Sequence, residues 1–167
     1  MPVNTLTFLQ AIVKRFDAAA LPVWLFGGWA EELWQLIPAR KHNDIDFLYF
    51  EQTFEHLDSF ITRSRDIREI QEKRFSHKRA IVVQNVMIEF LLVQQGGETY
   101  FTDFFSGRYR LEWPADVFSH TLSPEPCDIK LASIEALSNY RQQRRQIEDA
   151  YQDFLVAPRK RTPVFIS

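Results

Sequence analysis

Asp44 and Asp46 stand two residues apart in the segment Asp44-Ile45-Asp46-Phe47-Leu48-Tyr49. In an extended chain that spacing sends both carboxylates off the same face, with Cα atoms roughly 6.5 Å apart. Two anions so close repel each other unless a cation lies between them, and Mg²⁺ favours a few carboxylates completed by substrate phosphates. The pair reads as a metal holder, or else as the solvated face of an antiparallel strand. Glu89 is the one charge in the apolar run 86–93. An ionised carboxylate there needs a cation or a proton, so Glu89 is expected to join the two aspartates from a neighbouring strand. Pairing with Arg74 or Arg79 is the structural alternative. Gly27-Gly28 separates an apolar run from a helical pattern, where absent side chains and free N–H groups suit a phosphate. A plain turn would use the same residues. Arg40, Lys41 and His42 precede the aspartates and could offset phosphate charge, or form a solvated basic loop.

The elements that must hold these groups follow from periodicity. Leu6, Leu9, Ile12, Val13 and Phe16 recur at helical spacing after Asn4, a candidate N-cap, which predicts an amphipathic helix ending near Ala20. A strand over 23–26, the glycine turn and a helix over 30–36 come next, closed by Pro38. Strands are expected over 44–49, 67–73, 78–84 and 86–93, the last two joined by a tight turn at Gln84-Asn85, with a helix over 53–61. Gly96 opens a loop that runs to Arg108, 108–113 is a further strand, and 133–140 starts a polar helical segment. Residues 158–167 read as a tail. This order implies an α+β fold in which helices pack on a mixed sheet. Residues 1–167 are expected to form one unit, with a core over about 5–125 and a C-terminal helical part over about 131–156.

Composition narrows the partners. Twenty Lys and Arg against 22 Asp and Glu leave a net charge of −2, which lacks the basic footprint of a nucleic-acid binder. An apolar share of 46% supports a packed core. Cys127, the single cysteine, can form no intramolecular disulfide, and no apolar run approaches the length of a membrane span. A cytoplasmic location is expected. His56, His77 and His120 lack metal-ligand spacing, and Trp29, Trp34 and Trp113 read as core residues, with Trp29 close enough to the glycines to border a pocket. Arg141, Arg144 and Arg145 form either a phosphate-attracting stretch or a solvated helix face.

Leu25-Phe26-Gly27-Gly28-Trp29-Ala30, the run Arg40-Lys41-His42-Asn43-Asp44-Ile45-Asp46-Phe47, and Ile88-Glu89-Phe90 together resemble the nucleotidyltransferase superfamily. The Gly-Gly-Trp variant is most similar to its aminoglycoside and lincosamide branch. The resemblance covers most of the chain and implies a nucleotidyltransferase-like mixed sheet with a short helical appendage. It implies that Asp44 and Asp46 bind one or two Mg²⁺ and that Glu89 is the third carboxylate, as metal ligand or general base. It places Gly27, Gly28, Arg40, His42 and Arg145 at the nucleotide. Arg145-Gln146 stands where family members often carry Lys-Asp. The implied reaction moves a nucleoside monophosphate, AMP from ATP or its counterpart from another nucleoside triphosphate, onto a hydroxyl of a small molecule such as an antibiotic. A protein or tRNA acceptor, and a nucleotide-binding module without turnover, are the alternatives. A homodimer that completes the acceptor pocket is a further implication.

Overall fold

The computed structural model of the protein describes residues 4–123 and 127–157, and the expected tail 158–167 lies outside them. Leu9, Ile12, Val13 and Phe16 form the buried stripe of α1 (Leu6–Ala18). The cap is Thr5, whose hydroxyl accepts from Phe8 N at 3.2 Å, and not Asn4. The helix stops short of Ala20 because that residue turns the chain at φ 57°. Pro22 then leads into β1 (Val23–Phe26), and α2 (Gly27–Leu33) begins at the glycines themselves, three residues ahead of the expected start.

The sheet is built outward from β2 (Asp44–Phe50), which pairs antiparallel with β1 and parallel with β5 (Val86–Gly96). β4 (Lys78–Val83) runs antiparallel to β5 through the expected two-residue turn, whose Gln84 and Asn85 take φ 48° and 66°. Positive φ at both positions matches the twist of the flanking strands. β3 (Arg68–Glu69) borders β4, and the rest of the expected 67–73 strand is a 3-10 turn, Gln71–Lys73. Beyond β1 lie β9 (Ile129–Leu131) and β8 (His120–Leu122), two short strands without a strong sequence signal. β6 (Thr99–Phe104) and β7 (Tyr109–Trp113) form a hairpin that continues from β5, so the 96–108 stretch is largely paired instead of a loop. The mixed sheet and its helices make the expected α+β architecture.

Parity across β2 and β5 decides which groups reach which face. Ile45, Phe47, Ile88 and Phe90 are buried, Phe47 and Phe90 against Phe16 of α1, which also meets Phe60 of α3 (Glu55–Arg63). Phe16 lies 5.6 Å from Phe47, 5.5 Å from Phe90 and 5.8 Å from Phe60, centroid to centroid. Each fully buried ring contributes roughly 2–3 kcal/mol of transfer free energy, so this register is strongly preferred over a one-residue slip. The same register turns Asp44, Asp46 and Glu89 to the opposite face. There α4 (Ile134–Gln142) and α5 (Arg144–Val156) stand at one side, with Tyr140 5.2 Å from Phe26. Ser133 caps α4, accepting from Ala136 N. No described helix is long and apolar enough to cross a membrane.

Candidate active site

Asp46 is the register partner of Glu89 across β2 and β5, and of Phe26 across β2 and β1. Gly27 follows Phe26 at φ 65°, and a Cβ there would lie 2.3 Å from Asp46 Oδ2. The position therefore requires glycine on two counts, backbone conformation and contact with the carboxylate. At Gly28 a Cβ would meet Arg40 Nη2 at 2.7 Å and His42 Nδ1 at 3.1 Å. The two glycines thus bring Asp46, Arg40 and His42 to one corner.

The loop that carries Arg40 and His42 is fixed from behind. His42 is buried, its ring 4.2 Å from Trp29, and its Nε2 donates to Glu32 Oε1 at 2.9 Å. The same carboxylate accepts from Arg40 N. Asn4 donates to His42 O at 3.1 Å and to Asp44 O at 3.0 Å, and accepts from Trp29 Nε1 at 3.0 Å. It is a strut for β2 and the loop before it, a role that local pattern could not reveal because its partners lie 25 to 40 residues away.

Burial first, then the charges of Asp44 and Glu89, push the Asp46 carboxyl up to about 7 against the pull of Lys78 and Lys73. Neither Asp44 nor Asp46 accepts a side-chain hydrogen bond or forms an ion pair among the described residues. Two unpartnered carboxylates, one of them costly to ionise, suit a hard divalent cation that keeps positions for water and phosphate. The three-carboxylate cage expected from the sequence is arranged differently. Among the described residues no group of three or more His, Cys, Asp or Glu is set to hold a metal ion. Glu89 sits beside Asp46 as anticipated, but Lys73 Nζ is 2.9 Å from its Oε1 and Lys78 Nζ 2.7 Å from its Oε2. Burial would raise its carboxyl, and the two lysines outweigh that and hold it below the usual range.

The arginines weighed as partners of Glu89 are engaged elsewhere. Arg79 donates through Nε to Asp58 Oδ1 at 2.8 Å, and Arg74 pairs with Glu69 and Asp58. Ala80, the residue opposite Glu89 on β4, carries only a methyl group, which leaves room for Lys73 to reach Glu89. Lys78 was within reach of sequence reasoning, since a two-residue turn at Gln84-Asn85 fixes the β4 and β5 register and sets Lys78 diagonal to Glu89. Lys73 was not, because its segment reads as strand.

These groups line a cleft of about 670 Å³ whose walls also include Lys41, Glu31 and the α4 and α5 residues Tyr140, Arg141, Arg144 and Tyr151. Arg145 is exposed and does not line it, in contrast to the expected nucleotide contact. One residue of α-helix rotates a side chain by about 100°, so Arg144 faces the cleft and Arg145 turns past it. Arg141 pairs with Glu31 across the cleft mouth.

Residues 8–152 match the family described as aminoglycoside-2''-adenylyltransferase. The chain belongs to this family. It is a nucleotidyltransferase of the aminoglycoside and lincosamide branch. Its fold is shared with the lincosamide antibiotic adenylyltransferase LnuA in a lincomycin-bound crystal structure, at 16% identity and a TM-score of 0.64, over 91% of this chain and 97% of that one. ANT(2'')-Ia, crystallised with adenylyl-2''-tobramycin, is similar at 17% identity and a TM-score of 0.58, covering 89% of this chain and 95% of that one. TM1012 from Thermotoga maritima shares the fold at 16% identity and a TM-score of 0.55, over 87% of this chain and 89% of that one. No curated protein sequence matches the chain significantly.

Proposed function

We propose that this family member transfers AMP from ATP, with Mg²⁺, onto a hydroxyl of a small molecule of the aminoglycoside or lincosamide kind. The observation that carries the reading is the unpartnered Asp44 and Asp46 pair against Gly27, with a burial-raised Asp46, in a cleft that also holds Arg40, Lys41 and Arg144. The acceptor oxygen forms a bond to the α-phosphorus, the bond from that phosphorus to the bridging oxygen breaks, and pyrophosphate leaves in line. The hydroxyl proton passes to Glu89, which its two lysines keep ionised and aimed from the neighbouring strand. Arg40, Lys41 and Arg144 offset phosphate charge, while His42 and Asn4 hold the loop and strand in place. Mg²⁺ held by Asp44 and Asp46 would supply charge stabilisation at the phosphate oxygens. That two neighbours of the same fold were crystallised with an adenylylated aminoglycoside and with lincomycin supports the acceptor class.

The test incubates the protein with Mg-ATP and a panel of aminoglycosides and lincosamides, and reads the mass of one added AMP together with pyrophosphate release. Asp44→Ala is expected to abolish both signals. Transfer that persists in EDTA or in Asp44→Ala would overturn the reading.

A further inference from the structure

Resting on that reading, the cleft can be divided along the sheet order β1, β2, β5, β4. The glycine corner, Arg40 and Lys41 lie at the β1 and β2 end, beside the two aspartates. Glu89 is next on β5, and Lys78 and His77 follow on and before β4. The proposed proton acceptor therefore separates a phosphate end from a second end, and the hydroxyl substrate must approach from the second.

That second end is aromatic. Phe75, Phe105 and Tyr151 converge there from the β4 approach, the β6–β7 hairpin tip and α5, with Phe75 and Phe105 centroids 5.4 Å apart and Phe105 and Tyr151 5.1 Å apart. His77 joins them as a neutral ring. Its Nδ1 accepts from Phe105 N at 3.1 Å, its ring is 4.6 Å from that of Phe105, and burial, with Lys78 nearby, lowers its pKa to about 4.

Two of the six carboxylates that line the cleft are held in ion pairs, and two more lie at the phosphate end. Glu89 is clamped by two lysines, Glu31 is paired with Arg141, and Asp44 and Asp46 face the phosphate end. Glu72 and Glu148 remain free of ion pairs among the described residues, and both are exposed at the rim. A polyamine needs several desolvated anions to replace its lost hydration, and this end of the cleft does not supply them. An aromatic or aliphatic body gains contact area on Phe75 and Tyr151, whose partly exposed rings stand in front of the buried Phe105 and His77, and one amine can reach Glu72 or Glu148.

We infer that the acceptor subsite formed by Phe75, His77, Phe105 and Tyr151 selects an amphiphilic hydroxyl compound with an apolar body and at most one amine, in preference to a polycationic aminosugar. The shortage of buried, unpaired carboxylates at this end leaves a polycation's amines without partners, and the rings supply shape to the amphiphile.

The experiment is a competition. The full chain is given Mg-ATP with equal concentrations of lincomycin, which has one amine and an apolar chain, and tobramycin, which has several amines, and the two adenylylated masses are compared. Lincomycin is expected to be labelled on the order of tenfold faster or more, the discrimination typical of one well-matched apolar contact. Tyr151→Ala, at a partly exposed ring, should raise the KM for lincomycin by about tenfold with KM for ATP unchanged. Phe105→Ala serves as a second variant, checked for folding by thermal melting. Tobramycin labelled as fast as lincomycin, or a Tyr151→Ala variant with unaltered ratio, overturns the inference and leaves nucleotidyl transfer standing. In parallel, equilibrium binding of both compounds is measured with an ATP analogue carrying a methylene between the α and β phosphates. The same order is expected there, and equal binding, or none at millimolar concentration, overturns the inference independently of turnover. Failure of the Mg-nucleotide itself to bind counts against the transferase reading instead.

Discussion

Replacing Asp46 by Asn should make the metal-free protein more stable while removing its activity. The isosteric amide keeps the contact with Gly27 and eliminates the charge that burial, Asp44 and Glu89 oppose. The carboxyl is raised from 3.8 to about 7, so its folded pKa lies above its unfolded one. The stability contributed by the bound proton is then fully present below about pH 4 and is lost as pH rises through about 7. Three pKa units correspond to at most about 4 kcal/mol, and sharing of protons with Asp44 and Glu89 reduces the expected gain at pH 8 to about 2 kcal/mol. For a chain of this size that is roughly 4–8 °C in Tm. Thermal melts in EDTA at pH 8 should show Asp46→Asn above the parent protein, with most of the gap closing by pH 5. Added Mg-ATP should stabilise the parent alone. A variant that melts at or below the parent at pH 8, or a gap that does not vary with pH, would refute the reasoning.

Three further outcomes follow from the same geometry. Gly27→Ala forces a Cβ into a left-handed residue and against Asp46, so it should cost about 1–3 kcal/mol in melts and lower kcat by on the order of 10². Lys73→Met removes one of the cations that hold Glu89 ionised, so the acid limb of the kcat/KM pH profile should move to higher pH, with little change in Tm. Arg79→Ala removes the shorter of the two arginine contacts to Asp58 and one donor from each of the Phe75 and Lys78 carbonyls, leaving Asp58 to Arg74, and should destabilise the fold by about 2 kcal/mol in denaturant titrations while ATP affinity at matched folding is kept.

How much of this was legible in the sequence depends on the range of each interaction. Asp44, Asp46 and Gly27 declare themselves through period and turn chemistry, which are local. The side-by-side placement of Asp46 and Glu89 was readable because both strands carry strong β patterns and a single charge marks the site. Of Glu89's partners, Lys78 was readable from the register that the Gln84-Asn85 turn sets, whereas Lys73 was not, since it arrives on a 3-10 turn in a stretch that reads as strand. The 96–108 stretch hid β6 because Tyr100, Phe101 and Phe104 are interrupted by Asp103, whose charge is answered only by Arg110 on the partner strand. β8 and β9 are three residues each, too short for any periodicity to accumulate. Arg145 lies outside the cleft that Arg144 lines, because on a helix one position is enough to change a side chain's surroundings.

Asn4 has a practical meaning for anyone handling this protein. A single amide ahead of the first helix ties together the indole beside the glycine corner, the loop bearing the buried imidazole, and the backbone at the first aspartate. A tag or fusion joined shortly ahead of Asn4 would load the proposed seat of the reaction, so a short rigid linker there should impair catalysis in a protein that still melts normally, and a long flexible one should restore it.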